Sequence, residues 1–230
     1  MRYKITSFIV ILCALIISCA NKANSDATDG KFTITGKVAD SSCDGAQIFL
    51  VPLTEPATHE TVDSVVIKDG QFFFEGTKTR VAALRLQMPQ RMKFQELLVY
   101  TEPGNIKAYV APVGSVSGTR NNDLLQQWKT VMEGCVSARR AILDGHRTIN
   151  SPGVRPKIDS LNHIVGDATY KMIKESGVNP FSRFFYMGNR SNLSDQQKMD
   201  LKDMEEYYQQ YVDSIRKDAA ARNAQQDAKK

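Results

Sequence analysis

The stretch VVIKDGQFFF, residues 65–74, decides the first half of the fold. Two apolar runs flank Asp69-Gly70, a dipeptide that readily adopts the positive φ angles of a two-residue type I′ turn. Because side chains alternate along a strand, the spacing predicts a β-hairpin in which Phe72 and Phe74 share one face. The stretch therefore indicates a β-rich domain built from antiparallel strands.

Short runs rich in β-branched and aromatic residues continue on both sides of this hairpin, separated by Gly, Pro, Asp and Asn. Pro103-Gly104 has the residues of a type II turn, which is expected to fold the sixth strand onto the seventh. Eight strands favour two packed sheets over one. The predicted strands are FTITGKVA from Phe32, AQIFLVPL from Ala46, ETVDSVVI from Glu60, QFFFEG from Gln71, VAALRLQM from Val81, FQELLVYT from Phe94, NIKAYVA from Asn105 and VGSVSG from Val113.

Beyond the strands, the apolar residues recur at three- and four-residue steps, which predicts helices. The first helix places Trp128 and Cys135 on one apolar stripe. Asn121 or Asn122 is available as its N-cap, and Gly145 as its stop.

A second helix is predicted to begin at Ser151-Pro152 and to end at Gly177. A short apolar helix, Phe181 to Met187, follows, and SDQQ at 194–197 is a capping box that opens a last helix. The fold class predicted from the whole pattern is α+β: an N-terminal antiparallel β-sandwich-like domain of about eight strands, then a C-terminal helical segment of three to four helices.

The N-terminus has the pattern of an export signal. Arg2 and Lys4 precede the apolar run Ser7 to Ile17, which is too short to span a bilayer as a helix. Ile16-Ile17-Ser18-Cys19 then resembles a bacterial lipobox, in which Cys19 would take a diacylglycerol and become the first mature residue. An ordinary secreted protein with a chance cysteine at its cleavage site is the alternative.

The predicted division of the chain follows from these features. Residues 19–30 are polar and without an apolar period, as expected of a tether, and no large apolar residue follows Ile215. The expected segments are 1–18 signal peptide, 19–30 flexible tether, 31–118 β-sandwich-like domain, 119–215 helical domain and 216–230 polar tail.

The charge balance argues against a nucleic-acid partner. Loss of residues 1–18 removes two basic residues and no acid, so the net charge of +5 falls to +3. No block of Lys and Arg is present to release counterions from a phosphate backbone.

Two cysteines, Cys43 and Cys135, would remain after processing and acylation. An exported pair can form a disulfide or a redox couple, and two separate buried thiols are the equally open alternative. With 91 residues between them, the sequence does not decide whether the two approach each other.

Three blocks carry a family resemblance: DSVVIKDGQFFFEG (63–76), LVYTEPGNI (98–106) and VSGTRNNDLLQQW (116–128). They resemble an uncharacterised β-rich domain at the N-terminus of periplasmic thiol:disulfide oxidoreductase lipoproteins of the thioredoxin-like, peroxiredoxin-related kind. In those proteins a C-terminal thioredoxin fold with a Cys-x-x-Cys carries the chemistry, and here only 15 residues follow Ile215. The resemblance thus implies a periplasmic lipoprotein domain without the redox module.

The candidate site residues are few. Aromatic residues are densest in two neighbouring helices, where they could stack on a sugar ring or a peptide, although their helical spacing favours packing in the core. Asp159, His163 and Asp167 share a helical stripe. This pattern favours a solvated helix face over a metal or acid–base site. The possible aromatic binding patch comprises Phe184, Phe185, Tyr186, Tyr207, Tyr208 and Tyr211.

From these observations we expect a non-catalytic protein of the cell envelope that binds or scaffolds. No catalytic residues, metal or cofactor are predicted. The expected partners are a membrane, through lipid on Cys19, and an unidentified envelope protein, with the outer membrane facing the periplasm as the location. The alternative is an accessory to envelope thiol–disulfide exchange, either through Cys43 and Cys135 or by docking a separate thioredoxin-like enzyme.

Overall fold

A computed structural model describes residues 30–144 and 148–227. The predicted signal peptide, Cys19, nearly all of the predicted tether, Gly145 and residues 228–230 lie outside the described residues.

The N-terminal half consists of eight strands in two sheets, as predicted. Sheet A has the strand order β4-β1-β7-β8, and sheet B has the order β3-β2-β5-β6. The sheets close on each other at both sides, with β6 beside β8 and β3 beside β4. The strands are β1 Phe32–Val38, β2 Gln47–Pro52, β3 Asp63–Val66, β4 Gln71–Gly76, β5 Val81–Leu86, β6 Leu97–Tyr100, β7 Gly104–Val110 and β8 Ser115–Ser117.

The turn at Asp69-Gly70 is confirmed, but the pairing expected around it is wrong. Both residues have the positive φ angles of a type I′ turn, 51° and 67°. However, β3 belongs to sheet B and β4 to sheet A, and a single bridge joins Lys68 to Gln71. Ile67 is fully buried and its backbone still pairs with the segment before β2, so the chain stays with sheet B up to this residue. The turn therefore carries the chain from one sheet to the other.

The turn at Pro103-Gly104 also connects the two sheets, so the expected closure of β6 onto β7 is wrong. Gly104 has a φ of 130°, and its N–H donates to the carbonyl of Lys31 at 3.0 Å. This bond places β7 beside β1 in parallel, with Phe32 opposite Gly104. Every other strand pair is antiparallel, so sheet A is mixed rather than purely antiparallel.

The core extends beyond the space between the sheets. Phe72 and Phe74 both point inward, as predicted, with ring centroids 6.0 Å apart. The central strand β5 is buried on both faces, since Val81 and Ala83 are as inaccessible as the inward Leu84. A strand buried on both faces needs a further layer, and helices cover the outer face of sheet B.

Within the described ranges, five α-helices follow the sandwich. Their bounds are α1 Arg120–Leu143, α2 Val154–Ser176, α3 Pro180–Asn189, α4 Asp195–Asp200 and α5 Lys202–Asp227. The chain breaks between α4 and α5 at Leu201, whose φ of −105° and ψ of 42° are not helical. None of the helices in the described ranges combines the length and apolar character that a bilayer crossing requires.

The helix ends differ in part from the expectation. The capping box at Ser194 and Gln197 and the stop at Gly177 are confirmed. The N-cap of α1 is Thr119, and α2 begins after Gly153 rather than at Ser151-Pro152. The two asparagines are not caps because tertiary contacts bury both.

Asn121 and Asn122 join α1 to the end of β6. The Asn122 side chain accepts from the backbone N–H of Tyr100 at 2.9 Å and donates to the carbonyl of the same residue at 2.7 Å. The Asn121 side chain donates to Glu102 and accepts from Ser176 at 2.6 Å each. The first turn of α1 is thus part of the sandwich.

Candidate ligand-binding cleft

The helices do not cover sheet B completely, and an open cleft of about 680 Å³ remains between them and the sheet. Its volume falls in the range of about 300–1,000 Å³ typical of small-molecule sites. The lining residues are Leu53, Thr54, Leu98, Trp128, Pro180, Arg183, Phe184, Phe185, Met187, Gly188, Asn189, Tyr207 and Tyr211.

Helix α3 forms the central wall of the cleft. Asn179 caps it by accepting from the N–H of Ser182, and Pro180 occupies its first turn, where a missing N–H costs nothing. Phe181 and Phe185 point to the sandwich, and the Phe181 ring lies 5.3 Å from that of Tyr100 on the outer face of sheet B. This contact packs α3 against the outer face of sheet B.

Trp128 of α1 forms the floor. Its Nε1–H donates to Oγ1 of Thr169 on α2 at 2.9 Å, and its ring meets Phe185 edge-on at 4.9 Å. Because the donor is already engaged, the indole offers the cleft its apolar surface.

Arg183 is the one charged side chain among the described residues that line the cleft. Its guanidinium lies over the ring of Tyr207, with Cζ 4.5 Å from the ring centroid. None of the described carboxylates pairs with it, and its Nε is buried without a hydrogen-bond acceptor. The cleft therefore has an apolar body and one uncompensated positive charge.

The structure divides the predicted aromatic patch into two groups. Phe184, Phe185, Tyr207 and Tyr211 line the cleft, whereas Tyr186 is fully buried in a separate cluster against which Tyr208 packs. Tyr207 and Tyr211 lie one helical turn apart and share a face, while Tyr208 falls on the next stripe.

Leu53, Leu98, Trp128 and Arg183 were not predicted to act with that patch. The positions of Trp128 and Leu98 depend on which helix covers sheet B, which no local pattern contains. The sequence offered one signal for Arg183, because it is the one charged residue in the segment that forms α3.

A second group of aromatic and charged residues holds α5 against α3. Arg190 donates two bonds to Glu205, at 2.8 and 2.6 Å, and the hydroxyl of Tyr186 donates to the same carboxylate. The guanidinium of Arg190 lowers the pKa of Glu205 to about 2, and burial raises the pKa of Tyr186 above its usual range. This group is a fixed ion pair that positions the helix bearing Tyr207 and Tyr211.

The two cysteines are both free and both buried. Cys43 lies in the sandwich core between β1 and β2, where burial raises the pKa of its thiol. Cys135 lies on α1, with its Sγ 4.0 Å from the carbonyl of Leu161 on α2. The structure therefore does not bring them together as a bonded pair.

The other candidate residues lie apart from the cleft. Asp159 and His163 are exposed on α2, and Asp167 accepts from Gln197 at 2.6 Å. Within the described ranges, no three His, Cys, Asp or Glu side chains form a group suited to a metal ion.

Residues 32–125 match a family described as Domain of unknown function (DUF4369). The DUF4369 match begins with the first residue of β1 and ends at Leu125, in the second turn of α1. Leu124 and Leu125 both belong to the core cluster, so the matched range contains the two sheets and the part of α1 that packs against them. No curated protein and no solved structure gives a significant match to the chain.

Proposed function

We propose that this chain is a non-catalytic binding protein of the cell envelope, and that the cleft between sheet B and α3 is its binding site. The observation that carries the proposal is the cleft itself: aromatic rings from three helices converge on a partly uncovered sheet face. Apolar sites with few, well-placed polar groups are the usual form of ligand sites.

The cleft can be tested with N-phenyl-1-naphthylamine, a neutral aromatic probe that fluoresces in apolar surroundings. The soluble form that starts at Ala20 is suitable, because it retains every described residue. Tyr211→Ala should weaken probe binding about 3–10-fold, since an aromatic contact contributes about 0.5–1.5 kcal/mol.

Tyr109→Ala is the matched control. Tyr109 is 45% exposed and Tyr211 is 43% exposed, but Tyr109 lies on β7 in sheet A, outside the cleft. Equal loss of binding in the two variants, or no binding to the parent chain, would contradict the cleft as the site.

We also propose a lipid anchor on Cys19 and a location at the outer membrane facing the periplasm. Support comes from the basic, apolar and Ile-Ile-Ser-Cys segments of the N-terminus. Two or more acyl chains would hold the protein firmly at a membrane, whereas one would not.

Growth with an alkyne-tagged fatty acid tests the anchor. Cys19→Ser should abolish labelling and release the protein from the membrane fraction, while Cys13→Ser should retain the label. Labelling that survives Cys19→Ser would disprove this assignment.

The thiol–disulfide alternative is less well supported by the chain's own cysteines. Catalytic thiols need an accessible thiolate, and both cysteines here are buried, with the pKa of Cys43 raised. If Cys43 and Cys135 stay unreactive towards a thiol reagent before and after reduction, cycling is excluded. Reversible labelling that follows the redox potential would support redox cycling by these cysteines. Docking onto a separate thioredoxin-like enzyme is supported by the family resemblance.

A further inference from the structure

We propose that the cleft selects an organic anion: a molecule with an apolar or aromatic body and one carboxylate or sulfonate, which Arg183 receives. The inference rests on the proposed binding site and specifies its ligand class.

The first step is the contrast between Arg183 and the other described arginines whose side chains are buried or half-buried. Arg80 pairs with Glu55 at 2.7 Å, Arg85 with Glu96 at 2.8 Å, and Arg190 with Glu205 at 2.6 Å. Arg183 is also partly buried, yet none of the carboxylates in the described ranges reaches it.

The second step is energetic. A guanidinium presents five N–H donors, and packing it on Tyr207 satisfies none of them. The Nε–H is already removed from solvent without an acceptor, which costs free energy until an acceptor arrives. An anion entering the cleft supplies acceptors to the guanidinium, and a planar carboxylate, or two oxygens of a tetrahedral sulfonate, can accept hydrogen bonds from two of its N–H groups.

The third step concerns the rest of the ligand. The wall beside Arg183 is formed by Phe184, Tyr207 and Tyr211, with Leu53 and Leu98 opposite. Inorganic phosphate or another small hydrated ion would leave these surfaces wet. The volume of about 680 Å³ accommodates a molecule of drug size rather than a folded partner.

A matched pair of probes tests the anionic group separately from the site. 8-Anilinonaphthalene-1-sulfonate and N-phenyl-1-naphthylamine share one skeleton and differ by the sulfonate. The parent chain should bind the sulfonate probe about tenfold or more tightly than the neutral one, because a hydrogen bond to a charged group is worth about 1.5–3 kcal/mol.

Arg183→Gln should abolish that preference by weakening the sulfonate probe about tenfold while changing the neutral probe less than about twofold. Arg183→Lys should retain part of the preference, because it keeps the charge but not the planar donors. Arg155→Gln, on the exposed face of α2, is the control and should change neither.

The possible outcomes separate the two proposals. Equal binding of both probes to the parent chain would overturn the anion inference and leave the cleft as an apolar site. Loss of both probes in Arg183→Gln would also overturn it, since the arginine would then be maintaining the cleft rather than selecting charge. If neither probe binds the parent chain, both proposals fail.

Discussion

The β-sandwich and the helical layer are held together differently, and the difference indicates where function lies. The sandwich is closed at both sides and filled by side chains with almost no exposure, such as Ile34, Leu50 and Val99. The helical layer lies on one outer sheet face, and polar groups such as Asn122, which bonds to the backbone of Tyr100, join it to the sandwich. The sandwich interior is filled by buried side chains, whereas the helical layer leaves a cleft against sheet B.

The two regions nevertheless share one core. Phe181 and Phe185 of α3 belong to the same cluster as the sandwich interior, while Tyr186 faces a smaller cluster with Leu201 and Met204. Helix α3 therefore joins the helical layer to the sandwich core, together with Leu124 and Leu125 of α1.

The largest loss of stability is expected from Phe181→Ala. Phe181 is fully buried between α3 and sheet B, so truncation should lower the free energy of unfolding by about 3–5 kcal/mol. Denaturant unfolding should still show one transition, because the cluster is shared.

Phe73→Ala is the matched control for this change. Its ring is 50% exposed on the outer face of sheet A, so the loss should stay below about 1 kcal/mol. Two separate transitions in Phe181→Ala would show that the helical layer folds independently and would refute the shared core.

The second largest loss of stability is expected from Gly166→Ala, at the point where α2 contacts the segment before α4. A Cβ at Gly166 would overlap the backbone carbonyl of Asn192, so Gly166→Ala must push the two apart. Overpacking of this kind should cost about 1–3 kcal/mol, measurable by thermal and denaturant unfolding.

Gly134→Ala, also in the helical layer, should change the free energy of unfolding in the opposite direction. Nothing lies within 4 Å of the added methyl on α1, so the change should raise stability by about 0.5–1 kcal/mol through helix propensity. A Gly166→Ala variant that is as stable as the parent chain, or more stable, would contradict the close packing at Gly166.

The Arg190–Glu205 pair predicts a pH dependence confined to the helical layer. The pKa of Glu205 is lowered to about 2, so its contribution to stability is present above the unfolded value of 4.5 and is lost as the pH falls towards 2. Glu205→Gln should lower the free energy of unfolding by about 1–3 kcal/mol at pH 7, and the gap to the parent should narrow by pH 3. A gap that is constant between pH 7 and pH 3 would contradict this assignment.

The smallest effect is expected from removing residues 216–230. The sequence RKDAAARNAQQDAKK contains no large apolar residue, so truncation should change the free energy of unfolding by less than about 0.5 kcal/mol. A larger loss, measured by denaturant unfolding, would show that this end contributes contacts to the fold.

The strands and turns could be predicted because their signals are local. Asp69-Gly70 forms the expected type I′ turn, and Phe72 and Phe74 face the core, since both features depend on neighbouring residues alone. The partners of the strands could not be predicted in the same way. Turns that look like hairpins connect the two sheets here, because burial of Ile67 and pairing of β7 with β1 outweigh the local preference.

The cleft shows the same limit. Helical spacing separates Tyr207 from Tyr208 on α5, but only the packing of α5 decides that Tyr207 lines the cleft and that Tyr208 packs against the cluster of Tyr186. The role of Asn122 could not be predicted from the sequence either. Its side chain is suited to capping a helix, but it bonds to the backbone of Tyr100 instead.

The sequence by itself determined the α+β class, the eight strands, the capping box at Ser194 and the order of the helices, because periodicity and turn chemistry act over a few residues. The tertiary structure alone decided that the helices cover one face of sheet B and leave a cleft beside Arg183. Such an arrangement depends on contacts between residues far apart in the chain, and the free energy of those contacts is set by packing rather than by local pattern.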